Sequence, residues 1–287
     1  MSDAATKQPI LKKIAAGVAA LALGGAILNA TAQDWNAFAQ DQPKLDVIYV
    51  PTPHDVVKRM LELAKVGPND IHYDLGSGDG RIAIAAVKDF KAKKAVGIDL
   101  DPQRIRESLE NHKKAGVGDK VTFLNRNIFE TDFSEANTIS LYLLSTLNLK
   151  LRPTILNMKP GTRVVTQSFT MADWQPDHRE DVEFKENGLS GSRTVYLFIV
   201  PAKVGGKWEL TDGTRKIALD LKQTFQFFTG TATIDGKTAE IKDGKLNGTA
   251  IQFTAEVGGK PVKFEGTVDG NAIAGTGPSK WTAKKTL

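Results

Sequence analysis

The stretch Asp74-Leu75-Gly76-Ser77-Gly78-Asp79-Gly80-Arg81, followed by Val96-Gly97-Ile98-Asp99-Leu100-Asp101-Pro102, constrains this chain more than any other part of it. A short apolar strand from Ile71 to Leu75 runs into glycines at every second position, then into a helix-like run from Arg81 to Phe90. Glycine suits that junction because a backbone without Cβ atoms turns sharply and lets a ligand lie against its N–H groups at a helix N-terminus. Asp99 closes the next apolar strand, about 25 residues after the first acid, where a βαβ unit delivers its second strand end and a carboxylate accepts two hydrogen bonds from a ribose diol. The pattern predicts a nucleotide-type cofactor site. A tight turn with two solvated strand-end acids would explain the glycines but not the pairing of Asp74 with Asp99.

The loop also says which cofactor. Dinucleotide sites space their glycines G-x-G-x-x-G, whereas Gly76, Gly78 and Gly80 follow G-x-G-x-G. Asp74 would repel a pyrophosphate and attract an ammonium group. With these residues in view, the segment resembles the first motif of the class I, seven-strand S-adenosylmethionine-dependent methyltransferases, with Asp99 at the ribose position. The resemblance implies that Gly76, Ser77 and Gly78 line the methionine end, Asp74 attracts its ammonium, Leu100 packs on the adenine, and Asn127, with Ile128 beside it, meets the adenine amino group.

The 287 residues suffice for two modest domains. With 41% hydrophobic and 25% charged residues, the chain is neither disordered nor a multi-span membrane protein. The net charge of +5 is spread out, at about +2 in the first 32 residues and about +4 in the last 85. Without a basic run, no nucleic-acid footprint is indicated. Cys is absent, which excludes disulfides, thiolate metal sites and a cysteine nucleophile. His54, His72, His112 and His178 have no ligand spacing, so no metal is expected and each reads as a surface or turn histidine.

Residues 1–32 read as a signal peptide: Lys7, Lys12 and Lys13 precede an apolar run from Ile14 to Leu28, and Ala30-Thr31-Ala32 matches a cleavage site. The alternative is an uncleaved anchor, with membrane association through residues 14–28. Either version places the remainder outside a bacterial cytoplasm, exported or periplasmic if the leader is cleaved. This conflicts with a cofactor made inside the cell.

After a linker over 33–45, residues 46–202 are expected to form the cofactor domain. Thr52 is a good N-cap and Pro53 a good first helical residue. Strands are expected at 71–75, 95–99, 121–125, 138–143 and 163–167, with helices near 81–90, 102–115 and 149–158. A hairpin of 181–186 and 194–200, turning at Gly188 to Gly191, completes a doubly wound, mostly parallel seven-strand sheet. Beyond Pro201 the texture changes to short alternating runs, with turns expected at Asp235-Gly236, Asp243-Gly244, Gly258-Gly259 and Asp269-Gly270. Residues 203–287 should therefore form a small all-β barrel or sandwich with Trp208 and Trp281 in its core.

A closer resemblance covers nearly all of 46–201. Tyr49-Val50-Pro51-Thr52-Pro53, Leu141-Tyr142-Leu143-Leu144 with Asn148 to Pro153, Lys159 to Val165 and Asp173-Trp174-Gln175-Pro176 look like a bacterial group similar to membrane-anchored mitochondrial protein-lysine methyltransferases. That resemblance implies a protein lysine as acceptor. It also implies a Tyr49 to Pro53 segment, with Pro51 and Thr52, folded over the cofactor, and a Tyr142 to Asn148 loop facing the acceptor. Tyr49, Tyr142 and Asn148 are the candidates for orienting the amine; the alternative is that both tyrosines are strand-edge or core residues. The chain departs from the group at Ser145-Thr146, where relatives often carry Pro and an acid, and at Gln167 to Thr170, which lacks acids common there. The competing expectation is a non-catalytic exported binding protein that retains the methyltransferase fold.

Overall fold

The computed structural model describes residues 48–276 and 280–286. The leader over 1–32 and the linker over 33–45 lie outside the described residues. Among the described residues no helix is long and apolar enough to cross a membrane.

The first half alternates helix and strand: α1 His54–Leu63, β1 Ile71–Leu75, α2 Arg81–Lys88, β2 Lys94–Asp99, α3 Pro102–Ala115, β3 Val121–Asn125, β4 Thr138–Leu141, α4 Ser145–Leu156, β5 Arg163–Gln167, β6 His178–Glu186 and β7 Leu189–Ile199. The strands form one seven-stranded sheet in the order β3-β2-β1-β4-β5-β7-β6. The first five are parallel and β7 is antiparallel to its neighbours. Strand order reverses at β1, so the connections that leave the C-terminal ends of β1 and β4 turn to opposite sides of the sheet and leave a crevice, as in open α/β sheets.

Side-chain alternation divides the sheet's two faces. Tyr73, Leu75, Val96, Ile98, Ile139 and Leu141 pack with Leu151 and Ile155 of α4, while α1 and α2 cover the other face through Val57, Met60, Leu61 and Ala83. Helix α3 shows why its boundaries were readable: Asp101 accepts from the Gln103 N–H at 2.8 Å, Pro102 opens the helix and Gly116 closes it in a left-handed conformation.

Several boundaries differ from the sequence expectation. Pro53, not Thr52, is the N-cap of α1: its extended ψ of 145° precedes the first turn, and its carbonyl accepts from Val57 N–H at 2.9 Å. Helix α4 begins at Ser145 rather than 149, and β4 ends at Leu141. The β6–β7 turn is Asn187-Gly188, with both residues at positive φ, the geometry that matches strand twist in a two-residue hairpin. His72 is not a surface histidine; it is completely buried in β1.

The second half is a barrel, not a sandwich. Strands β8 Gly206–Asp212, β9 Arg215–Thr224, β10 Phe227–Ile234, β11 Lys237–Glu240, β12 Lys242–Asn247, β13 Ala250–Val257, β14 Lys260–Asp269, β15 Ala272–Gly275 and β16 Trp281–Lys285 pair in sequence. β11 and β12 both run along β10 as one interrupted stave, and β16 pairs with β8, closing an eight-strand antiparallel ring. Strands β11 and β12 are separated at Ile241, and Asp243-Gly244 is a bulge within β12 rather than the expected turn. Side chains fill the interior: Phe253 stacks on Phe264 at 5.0 Å and Trp281 meets Phe264 edge-on at 5.6 Å. Trp208 is buried too, its indole N–H donating to the Val204 carbonyl at 2.7 Å.

Gly230 lets β9 and β10 approach. A Cβ there, at φ +157°, would lie 2.1 Å from the Asp220 carbonyl oxygen, a backbone atom that cannot swing aside. Gly230→Ala is expected to destabilise the protein by about 3 kcal/mol, read as a lower midpoint in thermal unfolding; an unchanged midpoint would contradict this packing.

The two sheets meet through the β9–β10 turn. Phe225 sits at φ +52° and stacks on Trp174 at 6.0 Å, with the Arg152 guanidinium 5.2 Å from its ring centre. The Gln226 amide donates to the Gln175 carbonyl at 2.7 Å. The barrel thus braces the segment that links β5 to β6.

Candidate active site

The crevice at the ends of β1, β2 and β4 is a cleft of about 530 Å³. Its floor is the glycine loop, where the N–H groups of Gly76 and Ser77 both donate to the Ile98 carbonyl, at 2.8 and 2.9 Å. Gly78 is left-handed at φ +53°, and a Cβ there would lie 2.3 Å from the Tyr49 ring, so only glycine lets the 48–53 segment close onto the loop.

The two acids differ in circumstance. Asp99 accepts from Gly78 N–H through Oδ2 at 2.8 Å and from Asp101 N–H through Oδ1 at 2.9 Å. Burial raises its carboxyl above the usual range, against the pull of those two hydrogen bonds. Asp74 is only 2% exposed. Its Oδ1 accepts from the Ser140 hydroxyl at 2.6 Å, while Oδ2 has no partner in the protein. Burial pushes this carboxyl up to about 7; the Ser140 hydrogen bond opposes the shift, and the nearby charges of Asp99 and Asp79 add to it.

The 48–53 segment is held by charge. Arg81 donates to the Thr52 carbonyl at 2.8 Å and pairs with Asp79 at 2.7 Å. The Arg104 guanidinium lies 4.5 Å above the Tyr49 ring. Burial, reinforced by Asp79, pushes the Tyr49 phenol up to about 12, so it is a hydrogen-bond donor and not a base at neutral pH. Across the cleft Tyr142 stacks on Phe169 at 6.2 Å. Among the described residues no cluster of three or more His, Asp or Glu is placed to hold a metal.

The ANTKMT methyltransferase domain matches residues 74–178 of this chain. A protein-lysine N-methyltransferase of Saccharolobus islandicus (strain REY15A) is 46% identical over 155 residues, which covers 54% of this chain and 94% of that protein. The chain belongs to the class I S-adenosylmethionine-dependent methyltransferases. The methyltransferase is also 29% identical over 134 residues to an adenine nucleotide translocase lysine N-methyltransferase of Mus musculus, covering 46% of this chain and 58% of that one. Among solved structures it is similar to an RNA methyltransferase from Salinibacter ruber in complex with S-adenosyl-L-homocysteine, at 45% identity, with a TM-score of 0.48 and coverage of 54% of this chain and 96% of that one.

The cofactor of this methyltransferase is S-adenosylmethionine, and the cleft fits it. An unpaired buried carboxylate oxygen on Asp74 suits an ammonium, and Asp99 stands at the adjacent strand end. Tyr49, Pro51, Thr52, Asp74, Gly76, Ser77, Gly78, Asp99, Leu100, Asn127, Ile128 and Tyr142 all line the cleft. Asn148 does not line it: fully buried in α4, it donates to the carbonyls of Phe169 and Thr170, both at 3.3 Å, and so supports the wall from behind. Asn127 is partly committed, since its carbonyl accepts from Phe129 N–H at 3.0 Å and its amide donates to Glu130. Sequence reasoning missed Asp79, Arg81, Arg104 and Phe169. The first two lay inside the quoted motif, where an acid two residues before an arginine was a readable signal; Arg104 and Phe169 carried none.

Proposed function

We propose that this methyltransferase transfers the methyl group of S-adenosylmethionine to the ε-amine of a protein lysine. The observation that carries the reading is the 46% identical protein-lysine N-methyltransferase, of which 94% is covered. The cleft agrees with it chemically. Asp99 takes the ribose hydroxyls, Asp74 Oδ2 the ammonium, and Gly76, Ser77 and Gly78 the methionine end. Leu100, Asn127 and Ile128 face the adenine, with Pro51 and Thr52 as cover. Bound there, the cofactor supplies an activated methyl group on a sulfonium.

The opposite wall handles the acceptor. The stacked rings of Tyr142 and Phe169 suit a lysine's aliphatic stem and its cationic tip. A lysine amine has a reference pKa near ~10.4 and reacts only after losing a proton. Burial in the cleft beside the cofactor's positive sulfonium outweighs the attraction of the rings, disfavours the ammonium and releases the proton to water. A dedicated base is not needed, and Tyr49 is too weakly acidic to act as one. Tyr49 and Tyr142 orient the amine, and Asn148 acts on it only by holding the Phe169 wall.

Incubation of the protein with methyl-labelled cofactor and a lysine-containing protein mixture, followed by total hydrolysis, is expected to yield ε-N-methyllysine. Label recovered only in RNA nucleosides would overturn the reading.

Asp74 makes cofactor binding pH-dependent. Its free carboxyl titrates near 7, and an ammonium binds the ionised form. Binding therefore releases a proton at lower pH. The affinity for S-adenosylhomocysteine should rise about tenfold per unit as pH climbs toward 7 and level off above it. Calorimetric titrations between pH 5.5 and about 7.5 check this; a flat or falling affinity would contradict it.

A further inference from the structure

Beneath the glycine loop, three polar side chains that the reaction does not touch are completely buried on one face of the sheet: His72 in β1, and Thr138 and Ser140 in β4. They sit in line, because β1 and β4 pair with His72 opposite Thr138 and Asp74 opposite Ser140. His72 Nδ1 is 3.1 Å from Thr138 Oγ1, His72 Nε2 is 3.0 Å from Ser140 Oγ, and Ser140 Oγ is 2.6 Å from Asp74 Oδ1.

Hydrogen-bond bookkeeping fixes the direction of this chain. An ionised carboxylate only accepts, so the Ser140 proton points at Asp74. Ser140 Oγ then accepts from His72 Nε2–H, which leaves Nδ1 bare to accept the Thr138 proton. All three donors point toward Asp74, and each polarises the next.

We propose that Thr138, His72 and Ser140 form a directional relay that positions Asp74, holding Oδ1 inward so that Oδ2 is presented to the ammonium of the cofactor. The inference rests on the assignment of Asp74 to that ammonium. Asp74 needs such support because Asp99, from the end of β2, and Asp79, from the glycine loop, both oppose its charge. Burial, with the Arg163 charge from β5, pushes His72 down to about 3, so its ring stays neutral at working pH and keeps one tautomer. A buried imidazole beside two hydroxyls has no packing rationale that valine or leucine would not serve better.

The test compares two ligands across pH. In Ser140→Ala, the midpoint of S-adenosylhomocysteine binding is expected to move up by about one pH unit, with affinity at pH 7 about fivefold weaker. 5′-Methylthioadenosine, which has no ammonium, should bind as it does to the wild-type protein. Ser140→Thr should restore the midpoint, and His72→Leu should shift it in the same direction as Ser140→Ala. An unmoved midpoint, or equal weakening of both ligands, would overturn the relay. Failure of the wild-type protein to bind either ligand would instead sink the cofactor assignment. Nitrogen NMR of the His72 ring in the wild-type protein saturated with S-adenosylhomocysteine, whose ammonium holds Asp74 ionised, needs no variant: a neutral Nε2–H tautomer from about pH 7 to about 8 supports the relay, and an Nδ1–H tautomer or a titration in that range refutes it.

Discussion

Asp99→Ala is expected to bind S-adenosylhomocysteine about 1,000-fold more weakly than the wild-type protein. The carboxylate has two tasks, and alanine does neither. It accepts from Gly78 and Asp101 N–H, which sets the mouth of the loop, and its remaining lone pairs face the cleft where a ribose diol would bond. Two hydrogen bonds to a charged acceptor contribute about 4 kcal/mol together, which is the thousandfold. Asp99→Asn keeps one acceptor and should fall between, at about 30-fold. Calorimetry of both variants, with circular dichroism to confirm folding, makes the comparison. Wild-type affinity in Asp99→Ala would remove the ribose assignment.

Gly78→Ala should cost about 3 kcal/mol in kcat/KM, roughly a hundredfold, for reasons independent of charge. At φ +53° a Cβ is strained, and it would stand 2.3 Å from the Tyr49 ring. The ring must then leave its place below Arg104, opening the cover over the cleft. The two residues are therefore coupled. Tyr49→Ala alone loses the cover; added to Gly78→Ala it should cost little more, because the clash is already relieved. Additive losses in that double-mutant cycle would show that the ring and the loop do not meet.

The cofactor half of the site was legible because its determinants are local. The strand, glycines and acids of Ile71 to Arg81 and Val96 to Pro102 are contiguous in the chain, and the loop they form brings Asp74 and Asp99 to one crevice without help from distant segments. Helix α3 was equally plain, since Asp101, Pro102 and Gly116 are short-range stop and start signals. Features made by tertiary contact were not legible. Thr52 looked like an N-cap, but the cleft takes it: it is 4% exposed and its carbonyl serves Arg81. Asp243-Gly244 has turn chemistry, yet β11 and β12 both continue along β10, so the pair became a bulge. His72 read as a surface or turn histidine, and only the pairing with β4 buries it with Thr138 and Ser140 beside it. Phe169 lines the cleft, with its carbonyl held by Asn148 from a helix that starts four residues earlier than its pattern suggested, a contact no local signal announces.

The barrel shows the same limit. Its alternating strands and Asp-Gly or Gly-Gly turns predicted an all-β unit, and closure turned on the pairing of β16 with β8, a contact between the two ends of the segment. Its contribution to the methyltransferase is mechanical in the structure. Phe225 stacks on Trp174, and Arg152 of α4 donates to the Met171 carbonyl at 2.9 Å, joining the barrel to the segment that carries Phe169.

In the proposed mode of binding, the crevice above Gly76 to Gly80 holds the methyl donor between Asp74 and Asp99. A crystal structure of the protein with S-adenosylhomocysteine tests it most directly. The ribose hydroxyls should lie within hydrogen-bond distance of the Asp99 carboxylate and the ammonium against Asp74 Oδ2, beneath Tyr49. A nucleoside bound elsewhere, or turned so that its ammonium points away from Asp74, would contradict the account.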